Sequence, residues 1–281
     1  MKTKSYLIIT ILVGIMLISF TNKSNATRNI IIQSDDPIVT TMLLSQSAEI
    51  ISNRLKDYSA KKFELEVLPE KNQIKVELSD NWDVKLAEKL ATYKGELGFY
   101  LTYNRLDVNT LPIDSSYLFS LLKYKNKSEA NLGSCTIVEK TLIDSYLQSL
   151  DKNKQSKFVW YHDLENSEFS LYALRLETET EALLNGKDIE SITSGKDLNL
   201  NFIEINFKES ATKLWANITR QNTNQPIAIV LDDTVLCSPI IRSSIENGKS
   251  LITGNFSEEE TKVIVALIRN HELPLTFHYL K

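Results

Sequence analysis

The sequence predicts an α+β chain, and three observations carry that expectation. Strand-like and helix-like stretches alternate in a regular order from residue 28 to 103, a second ordered block opens at Leu198, and a looser stretch lies between them. Composition agrees, because 281 residues, 42% hydrophobic and 24% charged, suffice for one large domain or two lobes.

The first block reads element by element. "RNIIIQ" is a short apolar strand, and Leu44, Ala48, Ile51, Leu55 and Tyr58 then recur at three- and four-residue spacing, giving one apolar helix face. Phe63, Leu65 and Val67 alternate with charges, as do Ile74, Val76 and Leu78, and Pro69 to Asn72 turn between them, so a hairpin with one wet face is expected. "NWDVKLAEKLATY" sets Trp82, Leu86, Leu90 and Tyr93 on one helix side, and "ELGFYLTY" reads as the closing strand. Strand, helix, strand, strand, helix, strand is the split βαβ, or ferredoxin-like, order. Residues 27–103 are expected to form that base, completed by 272–281, whose "LPLTFHYL" reads as a strand in need of a sheet edge.

Beyond Asn104 the pattern loosens. "SSYLFSLLKY" suggests a short helix, "KNKSEANLGS" a surface loop, and Val138, Leu142, Tyr146 and Leu150 a helix face. "KFVWYHDL" and "EFSLYALRL" read as strands from their β-branched and aromatic content. From Leu198, alternation at Ile203, Ile205 and Phe207 gives a strand, and Ala211, Leu214, Trp215 and Ile218 a helix. "IAIVL" and "TVLC" form a hairpin about Asp232 and Asp233, although Asp-Asp is a weaker turn signal than Asp-Gly. Gly248 and Gly254 supply permissive backbone on either side of "KSLIT", and Ser257 with Glu260 makes a capping box for the helix carrying Ile264, Leu267 and Ile268.

The first residues differ from the rest. Lys2 and Lys4 precede an apolar run from Ser5 to Phe20, followed by small residues at Ser24 and Ala26. Residues 1–26 are therefore expected to be a cleaved export signal or an N-terminal membrane anchor; the run of about sixteen residues falls just short of the roughly 17 to 25 that span a bilayer. Either way the remainder is expected outside the cytoplasm, in the periplasm, with membrane contact only through residues 5–20 if they are retained. Loss of residues 1–26 removes Lys2, Lys4 and Lys23 and no acid, moving the formal charge from −4 to −7. Nucleic acid is thus not an expected partner, because phosphate binding needs clustered positive charge.

Catalytic and metal patterns are weak. "VLDDT" lacks the spacing of an Asp-x-Asp-x-Thr phosphatase loop, and His162, His271 and His278 hold no metal-ligand spacing to one another or to Cys135 and Cys237. With only 8 Gly there is no Gly-rich phosphate loop. No catalytic, cofactor or metal residue is assigned, and the two cysteines are expected to remain unpaired, as small buried hydrophobes.

The run from Pro226 to Pro274, "PIAIVLDDTVLCSPIIRSSIENGKSLITGNFSEEETKVIVALIRNHELP", resembles the SecD subunit of bacterial protein export. "EALLNGKDIESITSG" and "NFIEINFKESATKLWANITRQN" are similar to segments just upstream in that family, and the block from Ala48 to Thr102 looks like the base of its first extracytoplasmic domain. Leu231, Asp232, Pro239, Gly248, Gly254, Asn255, Phe256, Leu273 and Pro274 match family-motif positions. Asp233 stands where the family has Gly, Asn247 replaces the first of two Gly, and a "GLDLxGG" motif expected near Asn29 is missing. The resemblance implies a head lobe, residues 104–271, inserted in the base. It further implies a non-enzymatic role in export, binding unfolded polypeptide or export-machine subunits; because the sequence stops at Lys281, before the membrane bundle where the family keeps its proton-carrying acid, it is not expected to act as a proton-driven motor. Trp160 and Tyr161 are candidate polypeptide anchors, with a core position the commoner fate of such a tryptophan. A diverged structural or interaction module that kept the fold and lost the export role is the alternative.

Overall fold

A computed structural model describes residues 28–124, 130–150, 155–163, 165–176, 182–198 and 200–280; the expected signal or anchor lies outside them. The chain runs β1 (Arg28–Gln33), α1 (Thr41–Tyr58), β2 (Phe63–Leu68), β3 (Gln73–Leu78), α2 (Val84–Thr92) and β4 (Leu97–Tyr103). Next come α3 (Arg105–Val108), α4 (Ser115–Ser120), β5 (Gly133–Cys135), α5 (Ile137–Ser149), β6 (Ser156–Asp163), β7 (Glu168–Arg175) and β8 (Leu184–Asn185). The last third holds β9 (Ile189–Asp197), β10 (Leu200–Phe207), α6 (Glu209–Gln221), β11 (Ile227–Leu231), β12 (Thr234–Cys237), β13 (Lys249–Thr253), α7 (Glu258–Arg269) and β14 (His278–Leu280).

The alternation read in the first block places Ile30, Ile32, Ile74, Val76 and Leu78 on one sheet face, all buried, beneath the apolar stripes of α1 and α2. The strand order is β14-β1-β3-β2, every neighbouring pair antiparallel. β4 is absent from this sheet, so the expected closing strand is replaced by the chain's last one. The physical reason is burial. β4 carries four successive buried residues, Leu97 to Tyr100, and a strand apolar on both faces needs cover on both. The place beside β1 suits β14, which is short and half-exposed. Only His278 to Leu280 of the expected terminal strand pair; Leu273, Leu275 and Phe277 are buried without being in a strand.

β4 instead pairs with β11, β7 and β8. β4, β11, β12, β6 and β7 then close a circuit of pairings that returns to β4. The alternating residues of these strands separate three apolar clusters. Leu97, Phe99, Ile227 and Ile229 join the large core with α1, α2, α6 and α7, whereas Leu171 and Ala173 with half-buried Phe158 and Trp160 face a second cluster under α4 and α5. Tyr100, Val159, Tyr172, Ala228, Val230 and Val235 make the third. Closure removes sheet edges that would otherwise stand open among these strands. The large core draws on residues 30–99 and 184–277 together, so the packing does not break at 104 and 271.

Three local readings differ from expectation. α5 presents Ile143, Tyr146 and Leu147 to its cluster and leaves Val138 66% exposed and Leu142 outward, because the packing face is turned by one residue. The stretch expected as a surface loop contributes buried Ala130, Leu132 and the strand β5, with 125–129 outside the described residues. Leu214 and Tyr93, assigned to buried faces, are exposed.

Other signals hold. Asp232 and Asp233 both adopt the left-handed region, at φ 48° and 62°, as a two-residue hairpin turn of the primed type requires. At α7, the Ser257 hydroxyl accepts from the Glu260 amide at 3.1 Å while the Glu260 carboxylate accepts from the Ser257 amide at 2.8 Å. Ser257→Ala is therefore expected to cost about 1 kcal/mol, read as a shifted denaturant midpoint with unchanged slope.

Candidate functional site

A cleft of about 560 Å³ opens where five pieces of the fold meet. Its apolar floor comes from the β11–β12 hairpin, through Leu231, Val235 and Leu236, and from α7, through Val263, Ile264 and Leu267. α2 contributes Leu86, Lys89 and the exposed Tyr93 at its C-terminal end. The end of β6 supplies Tyr161, His162 and Asp163, and the loop before α7 supplies Asn255, Phe256 and Ser257.

The Gly254-Asn255-Phe256 loop is built by close approach. A Cβ on Gly254 would lie 2.8 Å from the Phe256 ring, so only glycine lets the ring lie against the backbone there. The Asn201 side chain donates to the Phe256 carbonyl at 2.8 Å and the Asn255 amide to Glu165 at 2.7 Å, which fixes the loop to β10 and to the turn after β6. Leu231, Asn255 and Phe256 thus meet at the cleft, and Gly254 supports them.

The other motif residues are structural neighbours. Asp232 accepts from the amides of Gly95 and Glu96 at 3.0 and 2.7 Å, tying the hairpin to the α2–β4 link. Burial raises its carboxyl above the ordinary value, against the two amide bonds and nearby Arg54, which favour the anion. Leu273 is buried and its amide donates to the Lys94 carbonyl at 2.8 Å. Gly248, at φ +66°, has no room for a Cβ beside Thr212. Pro239 and Pro274 are exposed, with the Pro239 carbonyl accepting from Ile227.

Trp160 and Tyr161 part company because successive strand residues face opposite ways. The Trp160 indole donates to Asp144 at 2.9 Å under the Lys140 ammonium, on the α5 side, while Tyr161 enters the cleft. Burial, then Asp163, Glu165 and Glu260, hold the Tyr161 hydroxyl above the usual phenol range.

Arg54 is the residue that sequence reasoning missed. It lies on the α1 stripe at 0% exposure and donates to the carbonyls of Leu90, Tyr93, Lys94 and His271 at 2.5 to 3.3 Å. A charge three residues after Ile51, on the apolar face, was the available signal. Burial pushes its guanidinium down to about 10, against the pull of Asp232, so it stays charged at neutral pH.

Both cysteines are free and lie in different surroundings, Cys135 in the cluster under α5 and Cys237 beside the large core. Burial pushes their thiols up to about 11 and about 12, which disfavours the thiolate a nucleophile needs. Cys135 does not line the cleft that holds His162. Among the described residues, no three His, Cys, Asp or Glu side chains come together as a metal site, and no helix is long and apolar enough to cross a membrane.

The structure defines a mixed α+β module in which one sheet, through β6 and the β11–β12 hairpin, forms an apolar cleft with α2 and α7. Residues 163–275 match the family model of the SecDF P1 head subdomain. The SecD protein translocase subunit of Calditerrivibrio nitroreducens is 38% identical over 76 residues, 27% of this chain and 15% of that protein. That of Rickettsia prowazekii is 34% identical over 93 residues, 33% of this chain and 18% of that protein. The matched part is therefore less than a fifth of either relative. A solved structure described as that of a membrane component SecDF that enhances protein export superposes with a TM-score of 0.56 at 20% identity, over 90% of this chain and 98% of that one. SecDF in its super-membrane-facing form gives 0.59 at 21%, over 90% and 29%. At such identity the structural likeness is one of fold. The SecD resemblance read from the sequence is borne out, and with it the α+β class.

Proposed function

We propose that this chain is an extracytoplasmic SecD-type module that binds unfolded polypeptide in the cleft between α2, α7 and the β11–β12 hairpin, as an accessory to protein export. The observation that carries this reading is the meeting of Leu231, Asn255 and Phe256, three residues of the SecD-like run, with Tyr161 around one apolar floor. A sealed surface would have favoured the purely structural alternative. A cleft lined by aromatic and aliphatic side chains, rimmed by polar groups, suits short extended segments that only an unfolded chain offers. The role is binding and not catalysis, with residues 28–280 outside the cytoplasm.

The finer architecture belongs to the same proposal. β14-β1-β3-β2 is the ferredoxin-like order with the chain's last strand in the fourth place, so the base is read as 28–94 with 272–280. The inserted residues 104–271 form the head, which shares the large core with the base through residues 184–268.

The test mixes the full chain with a chemically unfolded exported protein and follows aggregation and refolding, then repeats both with Phe256→Ala. Truncating an aromatic anchor is expected to weaken association by about 5- to 30-fold, while far-UV circular dichroism stays unchanged. Crosslinking in cells from position 161, and not from 160, is the companion result. No association of the unmodified chain with unfolded protein, and no capture of export-machine subunits, would leave the structural module as the better account.

A further inference from the structure

The rim of the cleft is predominantly acidic. Asp163 and Glu165 stand at the end of β6 and Glu260 on the first turn of α7, while Lys89 is the sole lysine or arginine among the lining residues. Glu165 accepts from neutral Asn255, and Glu260 is engaged in the capping box with Ser257. Those bonds orient the carboxylates and leave both charges uncancelled. All three carboxylates lie close enough to act on the Tyr161 hydroxyl, which burial chiefly raises and they raise further. Beneath them the floor is aliphatic, so apolar and electrostatic recognition lie within one cleft of about 560 Å³.

Resting on the polypeptide-binding reading, we propose that the cleft selects extended segments in which apolar residues adjoin lysine or arginine, the cations facing Asp163, Glu165 and Glu260. The apolar side chains fill the floor and supply most of the affinity. The flanking cations sit at a partly exposed rim, where charge complementarity sets specificity and association rate more than total affinity. Acidic flanks meet three like charges and are disfavoured, which makes the rim a device of exclusion as well as attraction.

The test uses the full chain and three short fluorescent peptides with one apolar centre, flanked by lysine, serine or glutamate. The expected order of affinity is lysine, serine, glutamate, with the spread narrowing as salt is raised. Glu165→Gln with Glu260→Gln keeps an acceptor for Asn255 and a capping-box residue at the third helical position while removing two charges. This double variant is expected to shrink the lysine-to-glutamate preference by about tenfold at low salt, two exposed pairs contributing modestly each. Glu70→Gln, on the turn between β2 and β3 and outside the cleft, is expected to leave the preference intact. Equal binding of all three peptides, or a preference that survives the double variant, would overturn the charge selection and leave polypeptide binding standing. Binding of none would remove both.

Discussion

Replacing Arg54 by methionine is expected to cost about 3–5 kcal/mol. The guanidinium joins α1 to the end of α2 and to the loop after α7 through four carbonyls, those of Leu90, Tyr93, Lys94 and His271. Methionine fills much of the volume but takes the guanidinium donor from the Leu90, Tyr93 and His271 carbonyls and leaves Lys94 with the Leu273 amide alone, an acceptor stranded away from water costing about 1–3 kcal/mol. Gly95 belongs to the same clasp. Its φ is +83°, and a Cβ there would lie 2.4 Å from an Arg54 nitrogen, so Gly95→Ala strains both backbone and side chain. Chemical denaturation measures both variants. A loss under about 1 kcal/mol for Arg54→Met would show that the clasp is incidental.

Asp232 lies beside this clasp, and its effect on pH dependence has a definite sign. Its carboxyl is raised in the fold, chiefly by burial, so the folded state holds that proton more tightly than the unfolded chain does. The stability it contributes is present in acid and is lost as pH rises through its raised value. Over about pH 3 to 6, Asp232→Asn is therefore expected to remove a component of stability that grows on acidification. Parallel stability curves for the two proteins across that window would contradict it.

What the sequence reveals and what it hides divide along a physical line. The hairpin from Phe63 to Leu78, the Asp-Asp turn and the capping box at Ser257 are settled by residues a few positions apart, and each appears where the pattern places it. The partner of β4 is a matter of the whole topology. Its apolar run from Leu97 to Tyr100 indicates burial on both faces without naming the strands that provide it. The α5 face failed for a related reason, since Ile137, Val138, Leu142 and Ile143 make apolar residues on more than one side and only packing selects among them. At the cleft, Phe256, Leu231 and Tyr161 were legible singly, as motif residues or aromatic candidates. Their meeting was not, because they stand on three elements far apart in the chain. Arg54 carries no local signal beyond its place on the apolar face of α1, because its partners come from α2 and the loop after α7.

The exchange of closing strands leads to the second large effect: residues 28–103 alone are expected not to fold, and removal of 273–281 is expected to abolish cooperative unfolding of the rest. β4 ends the first ordered block yet pairs with β11, and β14 ends the second yet pairs with β1, so each sheet is completed by the other block. Truncation at 272 takes away β14 and the buried side chains of Leu273, Leu275 and Phe277. Those three side chains alone bring roughly 5–9 kcal/mol of burial, which stands against a total stability for such domains of about 5–15 kcal/mol. It also removes the Leu273 amide that binds the Lys94 carbonyl, one of the acceptors Arg54 shares, so the clasp loosens from a second side. The isolated block fares worse, because Leu97 and Phe99 would face water and α1 would lack α7. Near-ultraviolet circular dichroism and amide hydrogen exchange follow the outcome. A cooperative denaturation transition and protected β1 and β3 amides in the 28–103 fragment would mean that the base closes without β14, and that the exchanged strands are not what holds the two blocks together.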